Sequence, residues 1–176
     1  MKYPSICLAV ALACALPVSA ADFSAKITDV HLCCQSCVKA AEKAVTSVTG
    51  ATAAVDKDAG TVTITAKDKR TAQNAANALI KAGFWGKSDT HAGSSLLLRE
   101  ATGASGKQVK TLKVAGVHLC CGKCVNGVND ALKDVTGVKA NTATKGAESF
   151  EVTGDFKDSD VFAALRKAGY TGHVGK

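Results

Sequence analysis

Beyond its first 20 residues the chain contains neither proline nor methionine; Pro4, Pro17 and Met1 are the only ones in the sequence. No thioether is therefore available as a metal ligand in that part, and the nearby proline of a thioredoxin-type redox centre is missing. Aromatic residues make up only 5% of the chain, and the net charge of +7 (+6 without Lys2) comes from lysines dispersed among acidic residues. A nucleic-acid surface needs a clustered basic face with stacking groups, so no nucleic-acid partner is expected. The longest apolar run, Ile6 to Val18, is about 13 residues against the roughly 20 that cross a bilayer, so no membrane span is expected. There is no nucleophile–base arrangement, phosphate loop or specific carboxylate pair, and His91 and His173 stand alone. The expectation is a protein that is not an enzyme.

The same apolar run, with Lys2 before it and Val18-Ser19-Ala20 after it, has the form of a secretory signal peptide cut before Ala21. It predicts export to a periplasmic or extracellular location. Cleavage before Cys14 with lipid attachment is a less favoured variant, because Ala11-Leu12-Ala13-Cys14 is a poor lipoprotein signal.

Removing residues 1–20 takes away Cys7 and Cys14 and leaves six cysteines in two bunches. The first reads His31-Leu-Cys-Cys-Gln-Ser-Cys37 and the second His118-Leu-Cys-Cys-Gly-Lys-Cys124. Stapled secreted domains spread their cysteines to tie distant segments together. Three in a bunch cannot all pair within it, which favours ligation or thiol chemistry over crosslinking.

The bunches belong to a larger repeat. Val48-Thr-Gly50 matches Val135-Thr-Gly137 at the same offset of 87, and Lys81-Ala-Gly-Phe84 matches Lys167-Ala-Gly-Tyr170 at 86. In copy one, alternation predicts strands over Phe23–Val30, Ala51–Val55 and Thr61–Ala66. Helical spacing of Val38, Ala41, Val45 and Val48 predicts a helix from the cysteines to Gly50. A second helix is predicted over Thr71–Ala82, and a short last strand over Phe84–Lys87. Copy two repeats the order, with strands at Val109–Val114, around Val138 to Thr144 and at Phe150–Val152. Its helices follow Cys121 and Ser159, the latter residue read as a cap. Each copy thus reads β-α-β-β-α-β. The predicted class is α+β: two ferredoxin-like domains, each a four-stranded antiparallel sheet with two helices on one face. The expected division is a signal peptide over 1–20, domain 1 over 21–88, a linker over 89–106 and domain 2 over 107–176. Within the linker, Leu96 to Leu98 should pack on a domain or extend its sheet, with a docking patch as the alternative.

Each bunch sits where a loop meets a helix start, where free N–H groups and the helix dipole stabilise thiolates. Cysteine sulfur selects Cu(I), Zn(II) and similar soft ions. The candidate ligands are Cys34, Cys37, Cys121 and Cys124, joined by Cys33, Cys120, His31 and His118. Two sulfurs suit a linear ion, three a trigonal one, and three with a histidine tetrahedral zinc. Spacing leaves these open, and leaves open whether the two bunches act separately or face each other and share metal.

Leu32-Cys33-Cys34-Gln-Ser-Cys37 and its copy Leu119-Cys120-Cys121-Gly-Lys-Cys124, with Val48-Thr-Gly50, Val55-Asp56, Gly60 and Lys81-Ala-Gly-Phe84, resemble the heavy-metal-associated (HMA) domain family. That family includes copper chaperones, amino-terminal modules of copper-transporting ATPases and a periplasmic mercury-binding protein. Its hallmark loop is Gly-Met-x-Cys-x-x-Cys. The resemblance implies metal binding by Cys34, Cys37, Cys121 and Cys124. The chain departs from the pattern with Leu32 and Leu119 for methionine, His31 and His118 for glycine, and the added Cys33 and Cys120. These extra donors move the expectation toward higher coordination, zinc included. The function expected is an exported soft-metal-binding protein (copper, zinc or mercury class, with Cu(I) or Zn(II) foremost). It would sequester the ion or exchange it with a metal-delivering or metal-accepting protein, through one cysteine cluster per repeat. An exported thiol–disulfide protein and a metal-independent interaction module are the alternatives.

Overall fold

The computed structural model describes residues 22–89 and 95–176. The expected signal peptide, the lipidation variant at Cys14, His91 and part of the linker lie outside the described residues. In copy one, Thr61, Thr63 and Thr65 alternate with Val62 and Ile64, and the segment forms the central strand β3 (Thr61–Ala66). It pairs antiparallel with β1 (Phe23–Thr28) on one side and β2 (Ala51–Asp56) on the other, Ile27 and Val55 both lying opposite Val62. Helix α1 (Gln35–Thr46) buries Cys37, Val38, Ala41 and Val45, and α2 (Lys69–Lys81) buries Ala72, Ala75, Ala76 and Leu79. The small alanines let α2 lie close to α1 and the sheet. The short β4 (Lys87–Ser88) completes the order β2-β3-β1-β4.

Copy two follows the same path with β5 (Gln108–Ala115), α3 (Gly122–Lys133), β6 (Val138–Asn141), β7 (Ser149–Lys157), α4 (Asp158–Lys167) and β8 (His173–Val174). Its sheet order, β6-β7-β5-β8, is that of copy one. Two four-stranded antiparallel sheets and four helices make the α+β architecture, consistent with the two ferredoxin-like units expected. Among the described residues no helix is long and apolar enough to cross a membrane.

Three details differ from expectation. The second helix begins earlier than Thr71, because the Asp68 carboxylate accepts the Thr71 N–H at 2.7 Å and caps it. Ser159 is not a cap. Strand β7 runs straight into α4 with Lys157 at the N-cap, and Ser159 lies in the first turn. Phe84 lies outside β4. Gly83, at φ 90°, turns the chain so that Phe84 pairs as an isolated antiparallel bridge with its counterpart Tyr170.

That bridge joins the copies. Trp85 N–H donates to the Gly169 carbonyl at 3.1 Å and Thr171 N–H to the Gly83 carbonyl at 3.2 Å. The two Lys-Ala-Gly-aromatic segments therefore grip each other about a pseudo-twofold axis. A Cβ at Gly83 would stand 2.5 Å from the His118 nitrogen, and one at Gly169 would stand 2.6 Å from the His31 nitrogen. Only glycine permits this approach, and both are at positive φ. The buried side chains of both copies join in one apolar cluster.

The described part of the linker is tied to the fold. Leu96 is buried, whereas Leu97 is exposed and exchanges backbone hydrogen bonds with the Gln73 amide on α2. The Glu100 carboxylate, 2% exposed, accepts from the Thr171 hydroxyl and the Gly172 N–H and pairs with Arg166. Arg166 in turn lies over the Trp85 ring of the other copy.

Candidate metal centre

The grip at Gly83 and Gly169 sets the two cysteine loops against each other. Each loop leaves its first strand through a left-handed residue, Asp29 at φ 59° or Gly116 at φ 76°. The leucine that follows the histidine is then buried, Leu32 at 5% and Leu119 at 4% exposure. These leucines fill core where the HMA pattern has methionine, so they anchor the loop and offer no donor. Cys34 and Cys121 are the N-cap residues of α1 and α3, both in extended conformation (φ −158° and −153°), with no side-chain cap. Their sulfurs thus stand at the positive ends of two helices. One turn on, Cys37 and Cys124 are fully buried.

The two loops, expected to form one cluster per repeat, meet in a single cluster of six sulfurs. Across the interface, Cys33 lies 3.4 Å from both Cys121 and Cys124. Its counterpart Cys120 lies 3.5 Å from Cys34 and 3.4 Å from Cys37. Cys37 and Cys124 face each other at 3.8 Å across the pseudo-twofold. Within each loop the added cysteine reaches the buried one at 3.7 Å (Cys33–Cys37 and Cys120–Cys124), and the helix-start pairs are 3.7 and 3.8 Å apart. All six are free thiols. The neighbouring cysteines do not splay apart uselessly: Cys34 contacts its own loop and Cys120, while Cys33 reaches the opposite loop.

The histidines lie at the flanks. His31 stacks on Tyr170 with ring centroids 4.5 Å apart, and His118 meets Phe84 at 4.6 Å. Each ring thus packs on the aromatic residue of the other copy. A ring nitrogen of His31 lies within 4.8 Å of the Cys33 and Cys124 sulfurs. The Nε2 atoms of both histidines are buried without a hydrogen-bond partner. Burial lowers the His31 pKa, which favours the neutral ring that a metal ligand requires. Tyr170 anchors the arrangement by donating its hydroxyl to the Cys124 carbonyl at 3.1 Å.

The thiol protons are unevenly held. The Cys37 thiol is brought down to about 2, chiefly by hydrogen bonding from Cys124 and despite burial. Cys124 is pushed up by the same hydrogen bond and by burial, so the facing pair shares a proton. Cys121 is lowered to about 6, first by the Cys124 backbone N–H at the helix start. Burial raises Cys33 to about 12 and drives Cys120 upward as well. Such a shared-proton cluster releases protons when a cation replaces them.

The HMA-type pairs pointed to Cys34, Cys37, Cys121 and Cys124, and all four are in the cluster with Cys33 and Cys120. Sequence reasoning missed the aromatic partners Phe84 and Tyr170 and the two glycines that seat the histidines. The Lys-Ala-Gly-aromatic repeat was the signal that held them. No protein-family model matches the chain, and neither does any curated protein. Among solved structures, the solution structure of the N-terminal soluble domains of Bacillus subtilis CopA is similar at 16% identity, covering 89% of this chain and 95% of that chain, with a TM-score of 0.32.

Proposed function

We propose that this is an exported soft-metal-binding protein of the copper, zinc or mercury class. It sequesters or hands on metal through one centre built by both domains. The observation that carries the reading is the convergence of six free thiols, three from each loop, at separations of 3.4–3.8 Å. An ion bonded to three sulfurs at about 2.3 Å holds them about 4 Å apart, close to the separations found, so a trigonal set needs little rearrangement to bind. Sulfur donors favour Cu(I), Zn(II) and their like over oxygen-seeking ions.

The division of labour follows from burial. Cys37 and Cys124 lie inside, while Cys33, Cys34, Cys120 and Cys121 are partly exposed. An incoming ion meets the outer sulfurs first and exchanges ligands inward, and a metal-accepting protein would withdraw it along the same route. Ligands beyond the sulfurs are His31 and His118, which also wall the centre. The signal-peptide pattern of the first 20 residues supports an exported site for this exchange, in the periplasm or outside the cell, where a pre-assembled thiol centre competes with oxidation.

The test is anaerobic titration of the reduced protein with Cu(I) and Zn(II) against competing chelators. Tight uptake is expected, with strong weakening in Cys34→Ala/Cys121→Ala. Uptake no tighter than micromolar, or unchanged in that double variant, defeats the reading. Mass determination of the protein recovered from the cell envelope checks cleavage before Ala21.

A further inference from the structure

The arrangement of the six sulfurs says more than that a soft ion binds. Nine sulfur pairs are in contact at 3.4–3.8 Å. Three further pairs, Cys33–Cys34, Cys34–Cys121 and Cys120–Cys121, lie within 4.8 Å. These pairs are the twelve edges of an octahedron. Its opposite corners are Cys33 and Cys120, Cys34 and Cys124, and Cys37 and Cys121. Among the nine close contacts the sulfurs close only into triangles; no four are mutually in contact.

This matters for the kind of ion. A tetrahedral thiolate ion such as Zn(II) needs four sulfurs that are all neighbours. Any four corners of an octahedron include an opposite pair, so a four-sulfur tetrahedron requires the cluster to be rebuilt. A trigonal ion needs one triangular face, and such faces are already formed. The alternate faces are 34-37-120 and 33-37-124, whose edges are all close contacts, with 33-34-121 and 120-121-124, which include the longer edges. Each sulfur belongs to two of these four. Four trigonal monovalent ions on alternate faces would satisfy every thiolate as a bridge between two ions.

We propose that the two loops together hold a single thiolate-bridged cluster of four monovalent soft ions of the Cu(I) class. This rests on the soft-metal reading above and replaces one ion per repeat by one polynuclear centre per chain. Four ions of charge +1 offset the six thiolates to a residual of −2. The helix starts at Cys34 and Cys121 face that charge with their free N–H groups. The protons still held by the thiols leave as the ions enter; no electron is transferred. The three longer edges all involve Cys34 or Cys121, the corners at the two helix starts. Closing the cluster therefore draws these two corners toward the other four.

The test is anaerobic addition of Cu(I) to the reduced full chain. It is followed by native mass spectrometry, with X-ray absorption on the loaded protein. Expected are saturation at four copper ions per chain, sulfur in trigonal number around each, and a copper–copper vector shorter than the sulfur–sulfur edge. The Cys34→Ser variant removes a corner shared by two faces, so its capacity should fall by two ions rather than one. Saturation at one or two ions, or absorption without a copper–copper vector, overturns the cluster and leaves the soft-metal reading standing. Absence of tight uptake of any soft ion overturns both.

Discussion

The two halves of the molecule share a strand order and differ in regularity. In the first, β2 and β3 pair without interruption from Ala51–Ala66 to Asp56–Thr61. The connecting turn is fixed by the Asp56 carboxylate, which accepts from the Asp58 and Ala59 N–H groups. In the second, the register breaks between Val138 and Ala140 and again between Val109 and Thr111, and β6 is only four residues long. The connection after β6 leans instead on the cysteine loop, Gly146 N–H donating to the Leu119 carbonyl at 2.7 Å. What stays alike is what meets at the pseudo-twofold: the cysteine loops and the glycine–aromatic grip. The outer hairpins differ between the copies. The difference teaches that the copies are bound to one another by a shared centre rather than by a shared need to fold alike.

The largest effect should come from emptying one loop. If the copies were independent, Cys33→Ser/Cys34→Ser/Cys37→Ser would leave half the capacity, supplied by the intact second loop. Three of the four ion-holding faces mix sulfurs of both loops, so the triple variant, left with the face 120-121-124 alone, should hold at most one ion in four. The mirror variant at Cys120, Cys121 and Cys124 breaks all four faces and should hold no more. Retention of half the bound metal in chelator competition would break the comparison outright.

Next in size are Gly83→Ala and Gly169→Ala. A left-handed alanine costs roughly 1–2 kcal/mol. The approach of its Cβ to backbone at 2.5 and 2.6 Å adds overpacking of about 1–3 kcal/mol. Both should therefore lose several kcal/mol in denaturant unfolding, about equally, since each glycine presses on the other copy's histidine backbone. Saturating metal should restore part of the loss, because an ion bound only by the native centre favours it. A large inequality between the two variants would show that the grip is not symmetric.

Much of this was legible in the sequence, and the parts that were not share a cause. Alternation around Val62 and Ile64 and helical spacing from Val38 to Val45 report burial within one copy, so the elements could be read locally. The cysteine bunches could be read as soft donors from their chemistry. Their union could not, because the contacts Cys33–Cys121 and Cys34–Cys120 depend on how two folded units dock. The docking signal was present in Lys81-Ala-Gly-Phe84 and its copy, but a glycine after a helix reads equally well as a stop. Ser159 misled because a serine near a helix start has the chemistry of a cap, while the chain enters α4 directly from β7. The bulges of the second sheet left no local trace beyond its polar composition.

The irregular hairpin supplies a sharper contrast. Gly50 and Gly137 occupy the same place in the Val-Thr-Gly repeat, at φ 83° and 87°. A Cβ at Gly50 would meet only the flexible Lys67 side chain at 3.6 Å, but at Gly137 it would lie 1.9 Å from the Asp155 carbonyl oxygen. Gly50→Ala should cost about 1–2 kcal/mol, the left-handed penalty alone. Gly137→Ala should cost about 1–3 kcal/mol more, since the strand opposite must move. Equal midpoint shifts in urea would mean that the bulge relaxes freely.

The smallest effect concerns the acid limb of stability, and here too the halves differ. Asp68 caps α2 from an exposed position through the Thr71 N–H. Asp158, 5% exposed, accepts from the Ser105 N–H and hydroxyl and the Gly106 N–H at 2.7–2.9 Å, pinning the end of the linker to α4. Burial opposes its charge, but these hydrogen bonds outweigh it and hold its pKa below the usual carboxylate value. With the folded value depressed, the stabilisation is complete above the unfolded pKa and is lost as pH falls through the folded one. Asp158→Asn should cost about 2 kcal/mol at neutral pH, the scale of one charge-assisted hydrogen bond. It should also flatten the decline in stability from pH 7 to about pH 3. Asp68→Asn should shift the midpoint less at neutral pH, because the amide oxygen still accepts one N–H in an exposed cap. A steeper acid decline lost with Asp68 than with Asp158 would reverse the ranking, and with it the view that the linker is anchored to the second half.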